Sequence, residues 1–261
     1  MNLDLKGKNA LVCGSTQGIG KASAIELALL GANVTLLARN EEKLKDCLRE
    51  LDKSVDQQHQ YLVADFEQPD QVKEQIIKYT RSNKIHILIN NTGGPPAGLA
   101  IGAKEEDFLK AFSSHLLCNH ILVQACVESM KQEKFGRIIN IISTSVKIPL
   151  RNLGVSNTIR GAVANWAKTL SVELAPFGIT VNNVLPGATM TGRLETIINN
   201  QASKSGKSYE ESKEEMTKEI PAGRIGEAHE VAAAVAFLAT PAAAYINGIN
   251  VPVDGGRTGS L

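Results

Sequence analysis

The sequence predicts an α/β protein in which a mostly parallel, doubly wound sheet is covered by helices on both faces. Three observations lead there. Short apolar runs of strand type alternate with longer helical stretches along most of the chain. The strand-type runs are mostly uncharged and rich in β-branched residues, as strands buried on both sides must be. The helical stretches between them are long enough to build βαβ units, which lay successive strands parallel.

Taken in order, "NALVC" (9–13) is the first strand, and a glycine-punctuated turn leads from it into a helix over 18–31. "NVTLLA" (33–38) is followed by a helical stretch at 41–51, and "QYLVA" (60–64) by one at 69–82. "HILIN" (86–90) precedes the longest helical stretch, 104–131. "RIINII" (137–142) precedes a helix over 153–175, "TVNNVL" (180–185) runs into Pro186-Gly187, and "INVPV" (249–253) supplies the last strand. The polar, Ser/Lys/Glu-rich segment 192–220 departs from this rhythm. Placed just past the carboxyl end of a strand, it reads either as a lid over a cleft or as a surface helical pair. No Pro/Gly/Ser-rich linker or internal repeat divides the chain, so one domain over 1–261 is expected.

Composition narrows the function classes. The 261 residues are 43% hydrophobic and 21% charged with net charge +1, which is ordinary for a globular protein with a sizeable core. A near-neutral balance offers no basic stripe for nucleic acid, and stretches such as "KEEMTKEI" interleave both signs as a solvated helix face does. The amino-terminal "MNLDLKGKNALVCG" lacks a signal-peptide pattern, and "VAAAVAFLATPAAAYI" is broken by Thr and Pro and too short to span a bilayer. Cys13, Cys47, Cys118 and Cys126 form no C-x-x-C pair and suit a reducing compartment. A soluble cytoplasmic protein with neither a nucleic-acid nor a membrane partner is expected. Metal hydrolysis and serine-esterase chemistry are not indicated, because H-E-x-x-H, Cys/His clusters and G-x-S-x-G are all missing.

The first strand–helix junction carries the clearest chemistry. In "ALVCGSTQGIGKASAIELA", Gly14, Gly18 and Gly20 let the chain turn sharply and bring backbone N–H groups close to an anion. The helix that opens there directs unpaired donors and a positive dipole end at a pyrophosphate. The whole turn, Gly14-Ser15-Thr16-Gln17-Gly18-Ile19-Gly20, is therefore expected to bind a dinucleotide. The second strand ends in Arg39-Asn40, where an NAD site offers Asp or Glu to the ribose. The planar guanidinium of Arg39 suits a 2′-phosphate instead, so NADP is expected over NAD.

These features, together with "ADF" at Asp65, "NNTGG" after the fourth strand, "ELAPFGITVNNVLPGATMT" and "INVPVDGG", resemble the short-chain dehydrogenase/reductase family nearly end to end. The wording is most similar to 3-oxoacyl-acyl-carrier-protein reductase-like members. The resemblance implies a Rossmann-type fold with a seven-stranded sheet and a homo-oligomer, tetramer or dimer, paired through long central helices. Trp166 and the Ala-rich face of "GAVANWAKTLSVELA" suit either that contact or the core. It also implies that Asp65 and Phe66 border the adenine and that Asn90, Asn91 and Gly93 line the adenosine side. Pro186, Gly187, Thr189 and Thr191 would hold the nicotinamide and diphosphate end.

The family's reaction moves a hydride between nicotinamide and a carbonyl or carbinol carbon, using Ser, Tyr, Lys and Asn. Here Ser143 keeps the serine role, but counting along the family's spacing places Ser156 at the tyrosine, Arg160 at the lysine and His115 at the asparagine. Ser156 and Arg160 stand four residues apart, about 6 Å along one helix face. An aliphatic hydroxyl can pass a proton on but cannot be the resting acid. His115, with a reference pKa of about 6.5, is either the end of a rebuilt relay or a core histidine. Of the tyrosines, Tyr209 is placed to reach in from the lid, while Tyr61, Tyr79 and Tyr245 read as remote or structural. Three readings stay open: an NADP-dependent oxidoreductase on a small-molecule or acyl carbonyl, a dinucleotide-binding sensor or partner subunit, and non-redox chemistry on the same fold.

Overall fold

The side chains of the first strand, β1 (Asn9–Cys13), show at once how the sheet is buried. Ala10 and Val12 enter one apolar cluster, and Leu11 and Cys13 enter another on the opposite face. A period of two on a strand that is apolar throughout forces this arrangement. In the computed structural model, which describes residues 1–260, the same logic runs through a seven-stranded sheet. Leu261, the last residue of the expected domain, lies outside the described residues.

The remaining sheet strands are β2 (Asn33–Ala38), β3 (Gln60–Val63), β4 (Ile87–Asn90), β5 (Gly136–Ile141), β6 (Ile179–Pro186) and β9 (Asn250–Val253). Their order is β3-β2-β1-β4-β5-β6-β9, and every pairing is parallel. The order reverses between β1 and β4, so the loops leaving those two strands splay to opposite sides and open a crevice at their carboxyl ends. One face is covered by α1 (Gly18–Leu29), α2 (Glu41–Glu50) and α9 (Ala228–Ala239), packed on Leu36, Ile87 and Val184. The other is covered by α3 (Pro69–Thr80), α5 (Cys118–Glu133) and α6 (Gly154–Leu174), packed on Leu11, Leu88 and Val181.

The expected strands and helices are present, with ends shifted by at most two residues. The stretch 104–131 is not one helix. It is α4 (Glu105–Phe112), a π-helical turn Ser113–Leu117 and then α5. Widening the ring to i→i+5 hydrogen bonds re-aims the side chains of that turn, and such turns recur at functional sites. His115 lies within it.

The segment 192–220 forms α7 (Gly192–Ser205) and α8 (Tyr209–Lys218). The two pack on an apolar cluster of their own, Leu194, Ile198, Ile220 and Ile225. A two-residue parallel pair not anticipated from the sequence, β7 (Thr189–Met190) and β8 (Gly226–Glu227), ties the start of this unit to its end. Across the sheet, the Asn90 amide donates to Asn140, Asn140 to Asn183 and Asn183 to Asn250, over 2.9, 2.9 and 2.8 Å. This ladder satisfies polar groups that would otherwise be costly at the buried end of the strands.

Candidate active site

The crevice at the strand ends begins with the glycine turn. Gly14 and Gly18 sit at φ +58° and +54°, where a Cβ is strained. Gly20 has ordinary dihedrals but no room, because a Cβ there would lie 2.2 Å from the Gly14 carbonyl oxygen and 2.6 Å from Asn91 Nδ2. The Asn91 amide donates to the carbonyls of Cys13 and Gly14, both at 3.2 Å, and so pins the turn from the neighbouring strand. Ser15 is fully buried, and the Thr16 carbonyl accepts from Cys47 Sγ. Ile19 packs against the core, and Gln17, the residue preceding α1, makes no side-chain cap. The first-turn donors of α1 are left for an anion.

Thr191 closes the other side of the turn. Its γ-methyl would stand 3.1 Å from a Cβ on Gly18. Thr191 also caps α7 by accepting from the Leu194 N–H, and Thr189 Oγ1 donates to the Gly187 carbonyl. Pro186 ends β6, and a Cβ on Gly187 would meet Asp254 at 2.6 Å, so this exit is as tightly built as the turn it faces.

At the tips of β2 and β3 lies an open cleft of about 410 Å³ lined by Arg39, Asn40, Val63, Asp65, Gln68 and Gln71. Arg39 is 70% exposed and stands 3.9 Å from the Asp65 carboxylate, a distant and solvent-screened pair. Its guanidinium is therefore available to a ligand. Asn40 uses its side-chain oxygen to cap α2. Phe66 turns its ring into the core, and its carbonyl accepts from Cys118 Sγ. Asn90 is committed to the asparagine ladder, although its Oδ1 has no partner.

Past β4, the loop from Asn91 to Ala100 lies along the start of α6. The Gly154 N–H donates to the Gly98 carbonyl at 3.0 Å, the Gly98 N–H donates to the Asn152 carbonyl at 2.7 Å, and a Cβ on Gly154 would meet Ala100 at 2.4 Å. This loop gathers three side chains from distant sequence. His115, 2% exposed, hydrogen-bonds the Gly93 main chain. Arg193, from the first turn of α7, donates to the Pro95 carbonyl at 2.6 Å. Arg160 from α6 reaches the same place and donates to the Ile141 carbonyl at 3.1 Å. Ser143 follows β5 by two residues, and its hydroxyl accepts from the Ser145 N–H at 3.1 Å. Ser156 is half-buried on α6, one turn before Arg160.

A protein-family model described as Enoyl-(Acyl carrier protein) reductase matches residues 14–258. The chain belongs to the short-chain dehydrogenase/reductase family. It is 36% identical over 259 residues to the 3-oxoacyl-[acyl-carrier-protein] reductase FabG of Rickettsia conorii, covering 97% of this chain and 98% of that one. It is 30% identical to the NADPH-dependent reductase BacG of Bacillus subtilis, covering 97% and 99%. Among solved structures, L-sorbose reductase from Gluconobacter frateurii, complexed with NADPH and L-sorbose, superposes with a TM-score of 0.93 at 26% identity over the full length of both chains.

Burial governs the electrostatics of His115 and Arg160. His115 is pushed down to about 2, first by burial and then by the Arg160 charge, with the Gly93 hydrogen bond opposing weakly. It is neutral at physiological pH. The expected relay ending in a histidine that gives up a proton near neutrality therefore does not fit this environment. The tyrosines are engaged elsewhere: the Tyr61 hydroxyl bonds Glu41, the Tyr79 hydroxyl bonds Thr35, Tyr209 packs on the cluster of Leu194, Ile198, Ile220 and Ile225, and Tyr245 is fully exposed. Arg160 is held down to about 10 by burial and by Arg193, and so stays charged at neutral pH.

The sequence reading missed Arg193. It directly follows the "ATMTG" landmark, but only the fold shows that it returns to the loop after β4.

Burying His115 neutral makes stability depend on pH. Its unfolded pKa is about 6.5 and its folded value about 2, so the unfolded chain binds the extra proton in between. Stability is fully present above pH 6.5 and falls as pH drops below it. About 2 kcal/mol is expected to be lost between pH 6.5 and 5. His59 and His86, also lowered by burial, add in the same direction. Denaturant midpoints measured across pH 5–8 should slope less in His115→Asn than in the parent protein.

Proposed function

We propose that this family member is an NADPH-dependent oxidoreductase that moves a hydride between nicotinamide and a carbonyl or alcohol carbon, with 3-oxoacyl derivatives among the classes to test. One observation carries the reading: the glycine turn, closed by Asn91 and Thr191, leaves β1 beside the tip of the adjacent strand β2, where a cleft carries the exposed cation Arg39. The turn has no room for side chains and keeps its helix N-terminus uncapped, which fits a pyrophosphate. Gly14 to Gly20 would take the diphosphate, Arg39 the 2′-phosphate, and Asp65 with the Phe66 main chain the adenine. Asn90, Asn91 and Gly93 would border the adenosine side, and Pro186, Gly187, Thr189 and Thr191 the nicotinamide end. NADPH, when bound, supplies the hydride, and the protein supplies position and charge.

Ser143 is assigned to polarise the carbonyl oxygen, since it ends a central strand at the crevice. Arg160 keeps a fixed positive charge near that oxygen and stabilises the negative charge that develops on it. Ser156, one turn earlier on the same helix face, passes a proton inward from solvent rather than originating it. Neutral His115 holds the Gly93 loop in place. A chain without an ionisable acid at the tyrosine position is expected to turn over more slowly than a full Ser-Tyr-Lys site. The same loss favours the second reading, a dinucleotide-binding sensor or partner subunit, which predicts tight NADPH binding without consumption.

Replacing Arg39 with alanine should weaken NADPH binding about tenfold or more while leaving NADH nearly unchanged, since a charge-assisted contact to phosphate contributes about 1.5–3 kcal/mol. Titration calorimetry with both coenzymes reads this directly. Equal effects on both would remove Arg39 from the site.

We further assign one domain with 192–220 as its substrate lid. We also assign a homo-oligomer, tetramer or dimer, joined through the apolar faces of α4 to α6, where Leu109, Phe112, Leu117 and Val172 are exposed. Trp166 is half-buried against the core edge beside His120. The four cysteines are free and buried, which suits a cytoplasmic location. Among the described residues, no helix is long and apolar enough to cross a membrane.

A further inference from the structure

Two arginines converge on one point beside the site, and no carboxylate of the protein meets either of them. A Cβ built on Gly94 would stand 3.7 Å from Arg193 Nη2, 3.8 Å from its Nε and 3.9 Å from Arg160 Nη2. Gly94 is thus the gap between two guanidinium groups, and any side chain there would occupy it. Arg160 is 92% buried by its 8% exposure, and its Nε is enclosed without a hydrogen-bond partner. Arg160 donates to the Ile141 carbonyl, and Arg193 donates to the Pro95 carbonyl. Neither forms an ion pair within 4.0 Å among the described residues, although the other ion pairs of the molecule lie on its surface.

Two like charges held side by side raise each other's energy, most strongly for the buried Arg160, while Arg193 stands at the exposed side, and each guanidinium offers five donors in a planar fork. An anion placed between them relieves the repulsion and gives the buried Arg160 guanidinium a charged partner that Arg193 shares. The coenzyme phosphates already have the glycine turn and Arg39. The remaining anion is one that arrives with the substrate, beside Ser143.

We propose that Arg160 and Arg193 receive a carboxylate of the substrate, so that the protein prefers small oxo acids over neutral ketones, esters or thioesters. This rests on the reductase reading and narrows its substrate class. Arg193 sits on the first turn of the lid, so the bound carboxylate also ties the lid to the loop after β4. Arg160 then serves twice, fixing the carboxylate and holding charge near the reacting oxygen.

The test compares acid with neutral analogue in both turnover and binding. Pyruvate and acetoacetate are assayed with NADPH against their methyl esters and against the N-acetylcysteamine thioester of acetoacetate. Oxamate and its uncharged counterpart oxamide are titrated into the NADP complex and into the free protein. The expected results are a preference of tenfold or more for the acids and detectable binding of oxamate but not oxamide. Arg193→Gln should reduce that preference at least tenfold through KM, while Arg193→Lys retains part of it. The Kd for NADPH should move less than twofold in both variants, and their thermal midpoints show whether they fold.

Acids and neutral analogues used equally would overturn the proposal, as would an Arg193→Gln variant that weakens them alike. Loss of NADPH affinity in that variant would place the missing anion on the coenzyme and also overturn it. Oxamate binding without turnover of any carbonyl would leave the carboxylate site standing and remove the reductase reading instead.

Discussion

Gly20→Ala is expected to abolish useful coenzyme binding, with NADPH affinity falling at least a hundredfold and folding stability falling by about 1–3 kcal/mol. The cause is local and rigid. The new methyl would land 2.2 Å from the Gly14 carbonyl oxygen and 2.6 Å from Asn91 Nδ2, and neither can retreat. The Gly14 oxygen belongs to the turn itself, and the Asn91 amide is held by two main-chain acceptors. Relief requires the turn to lift from α1, which removes the donors that would face the pyrophosphate. Titration calorimetry and denaturant midpoints measure the two effects separately. Gly161→Ala is the matched control, because a Cβ at that position of α6 meets nothing within 4 Å. It should stabilise the protein by up to about 1 kcal/mol through helix propensity.

Ser143→Ala is expected to lower kcat/KM by about 10²–10³, the range for losing one donor to a developing oxyanion. With the tyrosine absent, Ser143 is the hydroxyl best placed at the end of β5 to meet the carbonyl oxygen. Thr144 and Ser145 follow it but are both buried, and Ser145 Oγ has no partner. The Ser143 side chain also accepts from the Ser145 N–H, so its removal should cost about 1 kcal/mol of stability, far less than the rate effect. NADPH affinity should stay within twofold, because the glycine turn and Arg39 lie elsewhere on the crevice. A variant with unchanged turnover would move the reacting carbonyl away from β5. A variant that loses NADPH binding would show that Ser143 supports the coenzyme instead.

The sheet was readable because its strands carry a simple physical signature. β1 and β2 are mostly apolar runs whose two faces both need burial, and a chain with six or more such runs separated by helices has few other ways to fold. The glycine turn was readable for a related reason: its constraint is local, and the residues that meet it are mainly glycines. The π-helical turn at Ser113–Leu117 was not readable, since its residues suit an α-helix equally well. That matters for His115, whose identity suggested an acid while its burial beside Arg160 keeps it neutral. The pairing of Arg193 with Arg160 across Gly94 joins three segments that only the sheet order brings together. No spacing along the chain encodes it.

Stereospecifically deuterated NADPH gives the most direct test of a hydride-transferring site that works without a tyrosine acid. The coenzyme, labelled at the transferable C4 position, is incubated with the protein and a panel of oxo acids, esters and thioesters, and the alcohols are analysed by mass spectrometry. Deuterium on the carbinol carbon with the parent protein, appearing about 10²–10³ times more slowly with Ser143→Ala, is the expected result. Tight NADPH binding with no label in any product would contradict it and leave a coenzyme-binding protein that performs no reduction.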